Sequence, residues 1–225
     1  MYPKRISLIL ALIIAVCAFG QEKPFWPEIQ AFKKQDSIQF PPKKAILFVG
    51  SSSFRMWKNA QSDFPKHIII NRGFGGSGLP HVIEYADQII FPYKPKQVVI
   101  YCGENDFFQA DNITPQIVTE RFMKLFSMIR KKLPKAYIAF VSFKPSPRRQ
   151  EWMPKYVETN NLVREFLRTQ KRTDYINIYN EMLDANGNPR KELFIEDNLH
   201  MNAEGYKIWQ RAFEPKLKRT KRPKT

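Results

Sequence analysis

Cysteine and histidine are scarce in this chain, with two of the first and three of the second among 225 residues. So few cysteines exclude a disulfide framework, and clustered metal ligands are unsupported as well, since there is no H-E-x-x-H and no set of His and Cys at metal spacing. Long apolar runs are also lacking. The single candidate, Ile6 to Phe19, is too short for a stable membrane span, so the remainder is expected to be soluble. No internal repeat is present, and no low-complexity segment apart from a basic C-terminus. Acidic residues number 21 against 37 Lys and Arg, a formal net charge of +16.

What is present fits one ordinary folded unit. Hydrophobic residues make up 43% and aromatics 14%, which argues against disorder. Lys4 and Arg5, the apolar run after them and Ala18-Phe19-Gly20 read as a secretory signal over residues 1–20, with cleavage before Gln21. Export is therefore expected. Cys17 offers a lipid-anchor alternative, which Val16 disfavours because a small residue is needed just before it. With Cys17 removed, Cys102 has no internal partner, and the fold must rest on its core. Residues 21–215 form the expected domain, large enough at roughly 200 residues for a proper core. Residues 216–225 form a basic tail with Lys216, Lys218, Arg219, Lys221, Arg222 and Lys224, expected to be a solvated, disordered end. The charge is not arranged as a nucleic-acid code, so no nucleic-acid partner is expected; weak contact of the tail with an anionic surface is.

Short runs rich in Val, Ile and aromatics predict strands at Ala45 to Val49, His67 to Ile70, Gln97 to Tyr101, Ala136 to Ser142 and Asp174 to Ile178. Their near-continuous apolar character predicts burial on both faces. Helical spacing lies between them. Thr114 reads as an N-cap with Pro115 at the first position, Val118, Phe122, Leu125 and Ile129 as the inner stripe, and Pro134 as the stop. Further helices are predicted over Lys155 to Thr169 and after Asn202. Alternation of this kind implies an α/β fold with a parallel sheet of about five strands covered by helices on both faces. Ligands of such sheets bind beyond the carboxyl ends of the strands.

Four motifs fall at those ends or in the last loop: Gly50-Ser51-Ser52-Ser53, Asn71 to Gly78, Gly103-Glu104-Asn105-Asp106 and Asp197-Asn198-Leu199-His200. A serine hydroxyl becomes a nucleophile when an imidazole takes its proton and a third group holds the imidazole's tautomer. His200 with Asp197 three residues before it suits the second and third parts, whereas His67 and His81 have structural readings. Gly76, Asn105 and the Ser52 backbone N–H can serve as oxyanion donors. A competing reading exists, because Gly73-Phe74-Gly75-Gly76-Ser77-Gly78 satisfies G-x-G-x-x-G and Glu104 ends the next strand, the outline of a dinucleotide site. Export and the break expected at Leu79-Pro80 count against it.

Taken in order, the four blocks resemble those of the SGNH (GDSL-type) hydrolases over roughly Ala45 to Phe213. That resemblance implies a flavodoxin-like three-layer α/β/α sandwich, with Ser52 as nucleophile, Ser52, Gly76 and Asn105 forming the oxyanion hole, His200 as base and Asp197 as its partner, and with no cofactor or metal. Two departures from the G-D-S-L pattern stand out: Ser51 replaces the acid and Ser53 the leucine, so register alone selects Ser52. The expected activity is a secreted ester hydrolase acting on a short acyl group, such as acetyl on a carbohydrate. Lysophospholipid hydrolysis, with Phe74, Phe107, Phe108 and Trp152 lining a longer site, is the alternative within enzymes. An inactive module binding an acidic glycan or membrane surface is the alternative outside them.

Overall fold

The computed structural model describes residues 23–220. The expected leader at 1–20, Cys17 within it, and the last five residues of the basic tail lie outside the described residues. Five strands form one wholly parallel sheet: β1 (Ile46–Gly50), β2 (Ile69–Gly73), β3 (Gln97–Tyr101), β4 (Tyr137–Val141) and β5 (Thr173–Ile176). Their order is β2-β1-β3-β4-β5, the flavodoxin-like arrangement with its switch point between β1 and β3. The helices are α1 (Trp26–Ile38), α2 (Ser52–Met56), α3 (Ala60–Asp63), α4 (Leu79–Glu84), α5 (Ala86–Ile89), α6 (Pro115–Lys132), α7 (Met153–Arg168) and α8 (Ala203–Phe213). Among the described residues, no helix is long and apolar enough to cross a membrane.

Alternating strand residues feed two separate cores, as the period of two requires. Leu47, Val49, Val98, Ile100, Ile138 and Phe140 pack against α1 and α4 to α7, meeting the predicted inner stripe of α6 at Val118, Phe122, Leu125 and Ile129. Ile46, Phe48, Val99, Tyr101, Ala139 and Val141 face the opposite way, against α2 and α8. Phe48 there lies 4.9 Å from Phe54, 5.9 Å from Trp57 and 5.5 Å from Phe213, ring centre to ring centre. Burial stabilises by about 1.5–3 kcal/mol for each fully covered large side chain. It carries the fold without a crosslink, since Cys102 is free and buried.

Three sequence expectations need correction. β2 begins two residues later than predicted and runs through Asn71 and Arg72, because both polar side chains are paired within the fold. Asn71 donates to the Phe54 carbonyl at 2.6 Å, and the buried Arg72 guanidinium meets Tyr93 Oη at 2.7 Å and Asp36 at 2.5 Å. Asp36 comes from α1, a helix not foreseen, whose polar side is mostly lysine and glutamine and hides the periodicity. The basic tail is the third case: residues 216–220 are docked, not solvated. Gln97 bonds the Lys216 carbonyl at 3.0 Å and the Lys218 N–H at 2.8 Å, Thr220 accepts the Ile68 N–H at 2.8 Å, and Leu217 is buried.

Register sets Gly50 level with Gly73 on one side and Tyr101 on the other. At φ +140° a Cβ on Gly50 would stand 2.0 Å from the Tyr101 carbonyl oxygen. Backbone cannot yield there cheaply. Gly50→Ala is expected to cost about 3 kcal/mol or more, or to prevent folding; thermal and urea unfolding check it, and a variant of unchanged stability would contradict this account of the β1 end.

Candidate active site

Ser52 is the first residue of α2, directly after β1, with Ser51 as an extended N-cap. Of the three consecutive serines, Ser52 is the one whose hydroxyl meets His200, at 2.8 Å from Nε2. His200 Nδ1 lies 2.5 Å from Asp197 Oδ2. With Asp197 accepting the Nδ1 proton, Nε2 is left bare to accept from Ser52. Asp197 Oδ1 in turn accepts the N–H groups of Leu199 at 2.9 Å and His200 at 2.8 Å, so the D-x-x-H spacing closes a turn around its own carboxylate. Asn198 takes the left-handed conformation, φ 56°, that this turn needs.

The loop is pinned at both sides. Asn202 caps α8 by accepting from Glu204 and Gly205, and its amide donates to the Glu192 carbonyl at 2.8 Å. Tyr206 on α8 donates to the Ser53 carbonyl at 2.8 Å, which ties the helix after His200 to the turn that carries Ser52. Burial alone would raise the Asp197 carboxyl, but the His200 bond and the two N–H donors hold it below its ordinary value of 3.8.

Gly76 follows β2 at φ +71° and is exposed, and Asn105 follows β3 in a short 3-10 turn. Ser52, Gly76 and Asn105 thus stand two, three and four residues beyond the level positions Gly50, Gly73 and Tyr101. The Ser52 and Gly76 N–H groups have no acceptor among the described residues, whereas Asn105 Nδ2 donates to Ser51 Oγ at 2.9 Å and to the Ser77 carbonyl at 3.1 Å. Sequence reasoning missed what aims this amide. Arg149, from the turn before α7, donates to Asn105 Oδ1 at 2.8 Å and to Glu104 at 3.2 Å, leaving the NH2 group facing Ser51.

Beneath lies a buried polar cluster. Glu104 accepts from Tyr101 Oη, from Lys144 Nζ at 3.2 Å and from the Lys144 N–H at 3.2 Å. Burial works against its charge, yet Lys144 and Arg149 hold the carboxyl below the usual range; burial likewise pushes the Lys144 ammonium down despite Glu104. Asp106 accepts the Leu79 N–H and an Arg121 N–H, both at 2.8 Å. Both acids brace loops. Their side chains are buried.

Residues 45–208 match the GDSL-like lipase/acylhydrolase family. The chain belongs to this family. Its fold is similar to that of a Streptococcus pneumoniae protein provisionally named for platelet activating factor, with a TM-score of 0.74 at 18% identity over 94% of this chain and 99% of the other. A GDSL-like lipase from Bacteroides thetaiotaomicron gives 0.70 at 16% identity over 84% and 96%. An acetyl-xylooligosaccharide esterase from Geobacillus gives 0.60 at 16% identity over 76% and 93%. A comparison with curated proteins finds no match. Family membership supports a hydrolase acting on esters.

In this GDSL-like acylhydrolase the dinucleotide reading of the glycine loop fails on electrostatics. Glu28 from α1 occupies the Gly75 N–H at 3.1 Å where a pyrophosphate would have to sit, and Glu104 is consumed by its cations. The expected break at Leu79-Pro80 is not found: α4 begins at Leu79, and Pro80 sits in its first turn, where no N–H is needed. Among the described residues, no group of three or more His, Cys, Asp or Glu could hold a metal ion. Of the four aromatics considered for a longer site, Phe74 and Phe107 are core. Phe108, half exposed, and Trp152 meet at a tilt of 51° with ring centres 4.8 Å apart, and the Arg149 guanidinium lies 4.4 Å from the Phe108 ring.

Two outcomes follow from this geometry. Arg149→Met should lower p-nitrophenyl acetate turnover about tenfold with KM little changed, because the Asn105 amide loses its aim. Glu104→Gln should instead cost stability, about 3–5 kcal/mol, by stranding the buried Lys144 charge; equal effects of the two on unfolding would contradict the division of roles. Asp197 makes a pH statement. Its folded pKa is depressed, so its contribution is present above the ordinary value of 3.8 and is lost as pH falls through the lower folded value. Asp197→Asn should flatten the acid limb of the stability profile in that window, read by thermal unfolding against pH.

Proposed function

We propose that this chain is a serine ester hydrolase that works through an acyl-enzyme on Ser52 and removes short acyl groups, acetyl above all, from a carbohydrate or similar ester. The observation that carries the reading is the unbroken relay from Ser52 Oγ through His200 to Asp197, at 2.8 and 2.5 Å. Ser52 Oγ attacks the ester carbonyl while its proton passes to His200 Nε2. The oxyanion is met by the Ser52 and Gly76 N–H groups and by Asn105 Nδ2. His200 then protonates the departing alkoxide, takes a proton from water for attack on the acyl carbon, and returns it to Ser52.

Asn105 must release one acceptor to serve the oxyanion. The Ser51 hydroxyl is the replaceable one, since it can rotate away while the Ser77 carbonyl is fixed in backbone. A short acyl group is supported by direct passage from β1 into α2, which leaves no inserted segment there to roof a chain, and by the burial of Phe74 and Phe107 in the core. Likeness to an acetyl-xylooligosaccharide esterase supports the same substrate class. Export belongs to this reading through residues 1–20, outside the described part.

Ser52→Ala and His200→Ala should each reduce turnover by about 10⁴ or more while the protein stays folded, and a fluorophosphonate should label Ser52, located by peptide mass spectrometry. Activity should fall from acetate to longer nitrophenyl esters. Full turnover in Ser52→Ala would remove the nucleophile assignment, and a preference for long chains would remove the acetyl one.

A further inference from the structure

The end of the sheet opposite Ser52 carries a second surface that hydrolysis does not use. A groove of about 880 Å³ lies where the chain enters β1, β3 and β4, with a floor that includes Phe91, Pro95, Leu133 and Ala136. Its rim holds six lysines and no acid. Lys132 is paired with Asp87, and Lys96 donates to the Arg219 carbonyl at 2.6 Å. Lys43, Lys44, Lys94 and Lys135 are exposed and have no acidic partner among the described residues.

Two of those four hold left-handed backbone, Lys44 at φ 62° and Lys94 at φ 44°, joined by a bond from the Lys44 N–H to the Lys94 carbonyl at 3.2 Å. Glycine takes that conformation without steric cost. Lysine at both places adds two cations to one rim. Thr220 also lines the groove, and from it the sequence continues into Lys221, Arg222 and Lys224.

We propose that this groove docks the protein on a membrane surface bearing anionic lipid, with headgroups on the lysine rim and acyl chain against the apolar floor. An acidic polysaccharide would use the rim but leave the floor uncovered, which is why lipid is the occupant the groove fits. Five-residue strands at ~3.3 Å per residue place Ser52 about 17 Å away, at the far edge of the sheet. The hydroxyl then points away from the bilayer, towards substrates outside it. The inference stands on charge, shape and topology, independently of the reaction at Ser52.

The test is co-sedimentation of the full chain with phosphatidylcholine vesicles, with and without phosphatidylglycerol. Binding should require the anionic lipid and weaken with salt. At ~5-fold per lysine near such a surface, Lys43→Glu with Lys135→Glu should weaken partitioning about 25-fold or more, while p-nitrophenyl acetate turnover is unchanged. The pair Lys58→Glu and Lys124→Glu makes the same change of net charge on other faces and should do far less. Equal loss in both pairs, equal binding to neutral and anionic vesicles, or capture by soluble dextran sulfate without vesicle binding would each overturn the proposal.

Discussion

The carboxyl end of β1, pressed between its two neighbours at Gly50, is the constraint from which the site is built. The Gly50 carbonyl accepts the Phe74 N–H at 2.9 Å and the Ser77 hydroxyl at 3.1 Å, while the next N–H, of Ser51, donates to the Tyr101 carbonyl at 3.0 Å. Three loops are thereby referred to one residue. Any side chain there would push β1 off β3, and Ser52, Gly76 and Asn105 would lose their common origin together.

A second layer of constraint is electrostatic. Glu104, Lys144 and Tyr101 are buried beside Asn105, and Arg149 joins that cluster to the amide. Replacement of such groups by well-packed apolar residues is often neutral or stabilising, so burial of the charges is not explained by stability. Orientation explains it better. An asparagine amide can flip, and only a fixed donor on Oδ1 keeps its NH2 on the side where an oxyanion would form. The cluster also anchors the segment ahead of α7, whose Arg148 N–H reaches the Asn198 carbonyl at 3.0 Å, so the amide and the Asp197 turn share one support.

Much of this was legible in the sequence because the chemistry-bearing residues are tied locally to elements that announce themselves. Ser52 and Asn105 follow apolar strands at fixed short distance, and Asp197 and His200 close a turn of their own. Arg149 carried no such signal: its partners are 44 and 45 residues away and its own segment is irregular. Polar residues inside β2 hid half of that strand, because Arg72 is made acceptable by Asp36 from a helix far upstream. Six cations in ten residues made the C-terminus look solvated. For residues 216–220, Leu217 and the backbone groups that Gln97 satisfies decide otherwise, and neither shows in a charge count.

Topology also explains why the two ends of the sheet differ in character. A parallel sheet collects all strand exits at one edge and all entries at the other. The exits carry short turns in which the Ser52 and Gly76 N–H groups have no acceptor among the described residues. Entries are reached from helix ends, and cations are favoured at the carboxyl termini of helices by the helix dipole. α6 ends in Arg130, Lys131 and Lys132 immediately before the entry to β4. Arg130 there bonds the carbonyls of Ala136 and Lys171, stitching the entries to β4 and β5 together. The positive end is thus partly a consequence of how parallel strands are joined, and Lys94, the C-cap of the short 3-10 turn Phe91–Tyr93, follows the same pattern, but Lys43 and Lys44 lie several residues past the end of α1 at Ile38. They are additional charge, placed where the fold alone asks for none.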